Sequence, residues 1–401
     1  MRWDLTRHLR AGTLLALVLG TGACQEKLAA PADCPALCPG GFDLVDTVLT
    51  PVPSGDTSFA GYVRAGSGSG LRVSYQFPLS EDRAVLRFTK RPDSLEIQDT
   101  LKAYTIDSVA FEVALLYRDT SVPNARLVLY RMPALTDSTV TFTDLDTAFT
   151  VANTVDSFVL DTVGRYRRVL TGAALARVAI APADTGILSL GIGLRAAQGT
   201  GVRIGNVASS TVAPTFITYV RLPYQDSTVQ RTLIRSAQFA ACRSQATEVL
   251  DPDLLTVGGV PSARSLLRFN WPSYLRDSAQ LIRVSLELLP ATPVVGIPGD
   301  TAFILARPVL ADFGAKSPAV TSSAFAGIDT VLTGQTDTVR IEVRAAASTW
   351  QGSNPLPAAL LLILSPEAST FTRPTFGSTR TPGFQPRLRV TFARPFPFED
   401  P

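Results

Sequence analysis

The stretch Val109-Ala-Phe-Glu-Val-Ala-Leu115 decides the fold class. Large apolar side chains stand at every second position, 109 to 115, with Ala or Glu between them. That period of two is the period of a β-strand with one face against a core. Near the other end of the chain, Arg387-Leu-Arg-Val-Thr-Phe392 alternates in the same way. Between such runs the chain is punctuated by Asp-Thr, Asp-Ser, Pro and Gly about every ten residues, and no long amphipathic helix interrupts them. The pairs Asp46-Thr47, Asp161-Thr162 and Asp329-Thr330 read as turn-to-strand transitions, Asp capping the turn and Thr suiting the pleat. The expectation is an all-β, antiparallel sandwich.

The pattern occurs twice. Arg83-Ala-Val-Leu-Arg-Phe88 matches Arg264-Ser-Leu-Leu-Arg-Phe269, and Asp107-Ser-Val-Ala-Phe111 parallels Asp277-Ser-Ala-Gln-Leu281. Val169-Leu-Thr-Gly172 recurs as Val331-Leu-Thr-Gly334. The buried-type run Ile187-Leu-Ser-Leu-Gly-Ile-Gly-Leu194 corresponds to Leu360-Leu-Leu-Ile-Leu364, and Pro214-Thr-Phe-Ile-Thr-Tyr-Val220 to Pro386-Arg-Leu-Arg-Val-Thr-Phe392. Five anchors in one order indicate a duplication. The joint falls near Pro223-Tyr-Gln-Asp-Ser227, giving a first domain over 43–225 and a second over 226–401. Gly66-Ser-Gly-Ser-Gly70 is followed by no helix signal and reads as a flexible loop or hairpin, not a phosphate cradle.

Composition narrows the chemistry. Of 401 residues only His8 is a histidine, and it lies inside a segment that reads as an export signal. Without it the chain has no Ser-His-Asp or Cys-His apparatus and no imidazole metal ligand. No G-x-S-x-G, Walker loop or S-x-x-K is present, so a non-catalytic protein is expected. The net charge is +3, and becomes +1 once Arg2, Arg7, Arg10 and Asp4 are removed. A near-neutral surface offers no electrostatic argument for nucleic acid.

Residues 1–10 form a basic region and Ala11–Gly20 an apolar run too short to span a bilayer. Thr21-Gly-Ala-Cys24 follows. Small residues before a cysteine resemble the lipobox of bacterial lipoproteins, which implies a signal peptide over 1–23 and lipidation of Cys24. The departure from that pattern is Thr21, and an ordinary cleavage leaving Cys24 as a thiol is the alternative. By the same resemblance, Gln25 favours sorting to the outer membrane. The Ala/Pro/Gly-rich stretch 24–42 would then be a tether in an oxidising compartment. Cys34, Cys38 and Cys242 allow one disulfide and one orphan thiol, with three pairings open.

The repeated anchors resemble the DNRLRE, or disaggregatase-related, repeats, a carbohydrate-binding-like β-sandwich family of surface and secreted proteins. The second half carries Ser265-Leu-Leu-Arg-Phe-Asn270, Val284-Ser-Leu-Glu-Leu288, Trp350-Gln-Gly-Ser-Asn354, Glu367, Phe376-Gly-Ser378 and Pro386-Arg-Leu-Arg-Val-Thr-Phe392. The first half is more divergent and lacks the Trp and Glu, keeping Val85-Leu-Arg-Phe88, Val202-Arg-Ile-Gly205 and Pro214-Thr-Phe216. The resemblance implies two tandem jelly-roll-like sandwiches and glycan binding.

Candidate sites follow from residue type. Trp271 and Trp350 are the only tryptophans beyond the leader. A flat aromatic face matches the C–H face of a sugar ring. Trp350 sits at the family's patterned position and reads more readily as a core plug. Trp271, whose counterpart in the first half is Lys90, reads together with Tyr274 as the ligand-binding candidate. Glu248, Asp251 and Asp253 are spaced as hard oxygen ligands for a structural Ca²⁺, with solvated turn carboxylates as the bland alternative. Asp144 and Asp146 would share a side if extended, and would formally suit a glycosidase pair. The expectation is an envelope lipoprotein of the bacterial outer membrane, anchored to the membrane through its N-terminal lipid, that binds polysaccharide or acts in adhesion. A structural protein contacting another envelope protein is the second reading, and a carboxylate-dependent enzyme the third.

Overall fold

A computed structural model describes residues 44–60, 68, 70–76, 81–180, 186–245, 250–259, 262–314 and 319–394. The first half of the chain provides β1 (Leu44–Leu49), β2 (Thr57–Ala60), β3 (Gly70–Tyr75), β4 (Asp82–Phe88) and the small hairpin β5 (Leu95–Ile97) and β6 (Thr100–Lys102). The long β7 (Thr105–Arg118) follows, then β8 (Arg126–Met132), β9 (Thr154–Val159), β10 (Gly164–Leu170), β11 (Leu188–Arg195), β12 (Thr200–Gly205) and β13 (Thr215–Tyr224). The second half opens with β14 (Ser227–Ser244), β15 (Leu254–Thr256), β16 (Ala263–Arg268), β17 (Gln280–Leu288) and β18 (Ala302–Ala311). It continues through β19 (Val320–Thr321), β20 (Gly327–Val331), β21 (Val339–Glu342), β22 (Ala359–Ser365), β23 (Thr375–Gly377) and β24 (Arg387–Ala393). The fold is all-β, every ladder is antiparallel, and the described helices are short.

The alternation read at 109–115 becomes the inner face of β7: Val109, Phe111, Val113 and Leu115 all enter one apolar core. Leu388, Val390 and Phe392 of β24 enter a second core. Around the first core, one layer runs β14-β13-β7-β10 and the facing layer β14-β4-β11-β8-β9. Around the second, the layers run β1-β24-β17-β21 and β2-β16-β22-β18-β20. The two arrangements match strand for strand, as a duplicated chain requires. The first half of β14 plays the part of β1, and its second half the part of β2.

The boundary expected at 225/226 has closely paired strands on both sides. The break falls inside a hairpin, where Tyr224 of β13 pairs with Ser227 of β14. β14 continues along the first core, pairing with β4 from Ala237↔Phe88 to Ser244↔Asp82 past a register shift that turns it from one layer to the other. In return β1 pairs with β24, Leu44↔Ala393 to Leu49↔Leu388, and β2 pairs with β16. The opening strands of each repeat thus complete the other repeat's sheets. A strand edge with unmet N–H and C=O groups must be covered, and each half of the chain leaves two such edges for its neighbour to cover.

The N-terminal segment is held by more than its ladders. The Asp56 carboxylate is 2% exposed and accepts from Thr379 N and Oγ1, both at 2.7 Å, and from Arg380 Nη1 at 3.0 Å. Arg268 donates to the Gly55 carbonyl at 2.8 Å while its other donors meet Asp312 at 2.5 and 2.9 Å. The two cores meet at a second buried carboxylate, Asp300. It takes Thr370 Oγ1 at 2.7 Å, Phe371 N at 2.6 Å and Arg203 of β12 at 3.1 Å. Beside it Arg72 of β3, paired with Asp82 at 2.7 Å, donates to the Thr370 carbonyl and lies 4.6 Å over the Phe371 ring.

The halves differ on their outer faces. Over the first, the helix Phe142–Ala148 seals Val85, Val128, Tyr130 and Met132 with Leu145 and Phe149. A Cβ at Gly191 would lie 2.6 Å from the Phe149 ring, which is why glycine stands on β11 there. The corresponding face of the second half carries Leu361 and Ile363. Cys242 lies on β14 in the first core as a buried free thiol, and burial pushes it well above the ordinary thiol range. Cys34 and Cys38, the signal peptide, Cys24 and the tether fall outside the described residues, as does most of Gly66–Gly70.

Asp56→Ala removes the buried acceptor of the Thr379 amide and hydroxyl and one partner of Arg380, and is expected to destabilise the fold by about 1–3 kcal/mol. Denaturant unfolding measures that loss. Hydrogen exchange should show β1 and β2 losing protection before β7 or β13 does.

Candidate ligand-binding site

The aromatic cluster singled out in the second half sorts into core and surface. Trp350 is 1% exposed, lies 6.1 Å from Phe269 and meets Trp271 edge-on at 5.1 Å. It is a core plug. Trp271 is half-buried against the same core, and the indole N–H of each tryptophan is buried without a partner. Neither ring offers a free face with a polar handle. Tyr274, by contrast, is 48% exposed.

Tyr274 belongs to the short helix Ser273–Asp277, which begins after Pro272. Proline suits the start of a helix because its φ is already set and its missing N–H would be unpaired anyway. Leu275 buries into the second core and turns Tyr274 outward. The helix is clamped from the opposite side by Gln351, whose Nε2 donates to the Leu275 carbonyl at 2.6 Å and the Ala279 carbonyl at 2.8 Å. The Gly352 amide adds a bond to the Arg276 carbonyl at 3.2 Å. Trp350 therefore acts indirectly: by plugging the core it seats the next residue, Gln351, under the Tyr274 helix.

The Tyr274 ring packs 5.7 Å from Phe392 at the end of β24. Together they border a cleft of about 480 Å³ lined also by Val45, Asp46, Thr47, Ser278, Ala279 and Arg394. Its far wall is β1, contributed by the opposite end of the chain. Asp46 is oriented there by a 2.5 Å bond from Thr391 Oγ1. The volume falls in the range of small-molecule sites, and the lining combines two aromatic rings with a carboxylate, two hydroxyls and a guanidinium. A second cleft of about 460 Å³, at 329–338, is lined by Asp, Thr, Gln, Gly and Leu without an aromatic ring.

The other candidate residues are engaged elsewhere. Asp251 caps the Asp253 amide at 2.9 Å, and the Asp253 carboxylate lies 3.4 Å from Arg380 Nε. The two described members of the calcium set therefore serve a turn and an ion pair; Glu248 lies outside the described residues. Among the described residues no group of three or more His, Cys, Asp or Glu side chains converges as a metal site. Asp144 and Asp146 are on a helix, not a strand. Asp144 closes a capping box with Thr141, whose backbone and side-chain bonds hold its carboxyl below the usual range, and Asp146 pairs with Arg83 at 2.7 Å. They do not form a glycosidase pair across a cleft.

Of the residues that line this cleft, the sequence singled out Tyr274 as a site candidate but not Asp46, Thr47, Ser278, Phe392 or Arg394. No spacing relates Asp46 to Tyr274 across more than two hundred residues; only the pairing of β1 with β24 joins them. Gln351→Ala removes the bond to the helix at Leu275 and the one to Ala279 just past it, and amide exchange at Leu275 and Arg276 is expected to rise roughly tenfold while the global unfolding midpoint moves little. No protein-family model matches the chain, and no curated protein matches it.

Proposed function

We propose that this is a lipid-anchored protein of the bacterial cell envelope that binds a saccharide, without turning it over, in the cleft between β1 and the Tyr274 helix. One observation carries the reading: an exposed tyrosine stands at the mouth of a cleft beside Asp46, Thr47, Ser278 and Arg394. A pyranose presents an apolar C–H face and a rim of hydroxyls. Tyr274 supplies the stacking surface, while carboxylate and guanidinium groups are strong partners for vicinal hydroxyls. The resemblance of the repeats to carbohydrate-binding-like sandwiches supports the same ligand class. Tandem sandwiches on a tether of about twenty residues suit adhesion to an extended polymer.

The anchoring half of the proposal rests on Thr21-Gly-Ala-Cys24 after a short apolar run. No helix among the described residues is long and apolar enough to cross a membrane. Cys24→Ser is expected to move the protein from the membrane fraction to the soluble fraction. Retention in the membrane would overturn lipidation as the anchor.

A second reading, contact with another envelope protein, is favoured by the outer face of the β18–β20 layer. Phe303 and Ile328 are exposed there as diagonal neighbours around Leu305. A glycan array probed with the mature chain separates the two. Saccharide binding that weakens roughly tenfold in Tyr274→Ala supports the cleft. An array with no hits, or binding indifferent to Tyr274→Ala, overturns it and leaves the protein-contact reading.

A further inference from the structure

A different part of the first half holds two buried arginines that have no carboxylate partner among the described residues. Arg91 follows β4 and is 5% exposed; Arg235 lies on β14 and is 7% exposed. Buried arginines are ordinarily paired with carboxylates. Among the described residues neither has a carboxylate within ion-pair distance, and the nearby Asp93 is 3.5 Å from Lys90. Backbone carbonyls answer them only in part. Arg235 Nη1 donates to Thr89 O at 2.9 Å and Gly186 O at 3.3 Å, and Arg91 Nη2 to Ile180 O at 2.6 Å. The Nε donor of each guanidinium is buried and unpartnered.

The two residues meet at one acceptor. The Gly186 carbonyl accepts both Arg235 Nη1 and, at 3.0 Å, the Arg91 backbone amide. Arg91 lies 5.4 Å over the Tyr104 ring and Arg235 5.3 Å over the Phe216 ring, so each cation is bordered by an aromatic face. Burial first, and then the charge of Arg91, push the Arg235 guanidinium down to about 10. Two like charges held together out of water repel, and unmet buried donors on charged groups are costly. Both penalties are relieved at once by an anion with two or more acceptor oxygens, since the guanidinium fork matches that geometry.

We propose that Arg91 and Arg235, flanked by Tyr104 and the Gly186 carbonyl, form a binding site for an oxyanion: a carboxylate, sulfate or phosphate group, either free in solution or carried on an acidic saccharide. The site is separate from the Tyr274 cleft and does not depend on what that cleft binds. It gives the first half a ligand chemistry of its own, selective for negative charge, on a chain with almost no net charge to attract anions at large.

The test is thermal unfolding of the full mature chain titrated with sodium sulfate, sodium phosphate or sodium glucuronate, against sodium chloride at matched ionic strength. Glucose is the uncharged control for glucuronate. The expected result is a saturable rise in Tm with at least one oxyanion, roughly 5 °C at a hundredfold excess over Kd. Arg91→Gln and Arg235→Gln should each abolish the saturable component. Should Arg235→Gln fail to fold, Arg91→Gln and isothermal titration of the wild-type chain decide the matter. Glucuronate binding at least tenfold tighter than sulfate identifies a saccharide carboxylate as the source; sulfate or phosphate binding as tightly identifies a free oxyanion. A rise that does not saturate and is equal in Arg91→Gln is the general stabilisation by excluded salts and overturns the proposal. So does a heatless titration with all three anions.

Discussion

The open edge of a β-sheet is the constraint on which this structure depends. β24 and β16 present unpaired backbone donors and acceptors that the rest of their own repeat does not cover, and β1 and β2, from more than two hundred residues away, cover them. β14 performs the same service for β13 and β4 in the other core. Backbone hydrogen bonds are individually modest, but leaving a row of them unmet beside an apolar core is not tolerated. The exchange ties the ends of the chain together and makes each core's completion depend on both repeats.

The candidate cleft is a by-product of that exchange. Tyr274, Phe392 and Ser278 belong to the second repeat, whereas Val45, Asp46 and Thr47 arrive with β1. Its aromatic rings therefore come from one end of the chain, while its polar groups come from both: Asp46 and Thr47 from β1, Ser278 and Arg394 from the second repeat. The buried carboxylates work in the same sense. Asp56 locks the N-terminal segment onto 379–380, and Asp300 with Arg203 and Arg72 locks the two cores against each other. Buried ion pairs add little net stability over apolar packing, but they are unforgiving of the wrong partner, which suits contacts that must choose one register.

Several elements were legible because their signal is local. Alternation at 109–115 and 387–392 follows from a strand's period of two, and both runs became core-facing strands. Four of the five repeat anchors fall on strands with matching places in the two sheet systems; Val169–Gly172 and Val331–Gly334 do not, since they end β10 and β20, whose counterparts are β21 and β9. Other readings failed where the deciding partner is distant. Asp46-Thr47 and Asp329-Thr330 lie within β1 and β20, and only Asp161-Thr162 occupies a turn. Their carboxylates satisfy neighbouring strands, Thr391 in one case and the Arg340 amide in the other. Asp144 and Asp146 read as an extended pair but fold as a capped helix, because Phe149 must cover the glycine-bearing surface of β11. Trp350 was separable from Tyr274 only in part: its patterned position suggested a plug, but nothing local says which aromatic keeps a face in water.

The sequence by itself determined the strand class and the absence of histidine beyond residue 8, since each depends on residue type or period along the chain. Tertiary structure alone decided which strands complete which core and which aromatic lines a cleft. Those outcomes depend on pairing between segments hundreds of residues apart. Edge strands of one repeat are chemically equivalent to those of the other, so pattern cannot say whether a strand closes its own sheet or its neighbour's. Packing around Asp56, Asp300 and the register of β1 against β24 makes that choice.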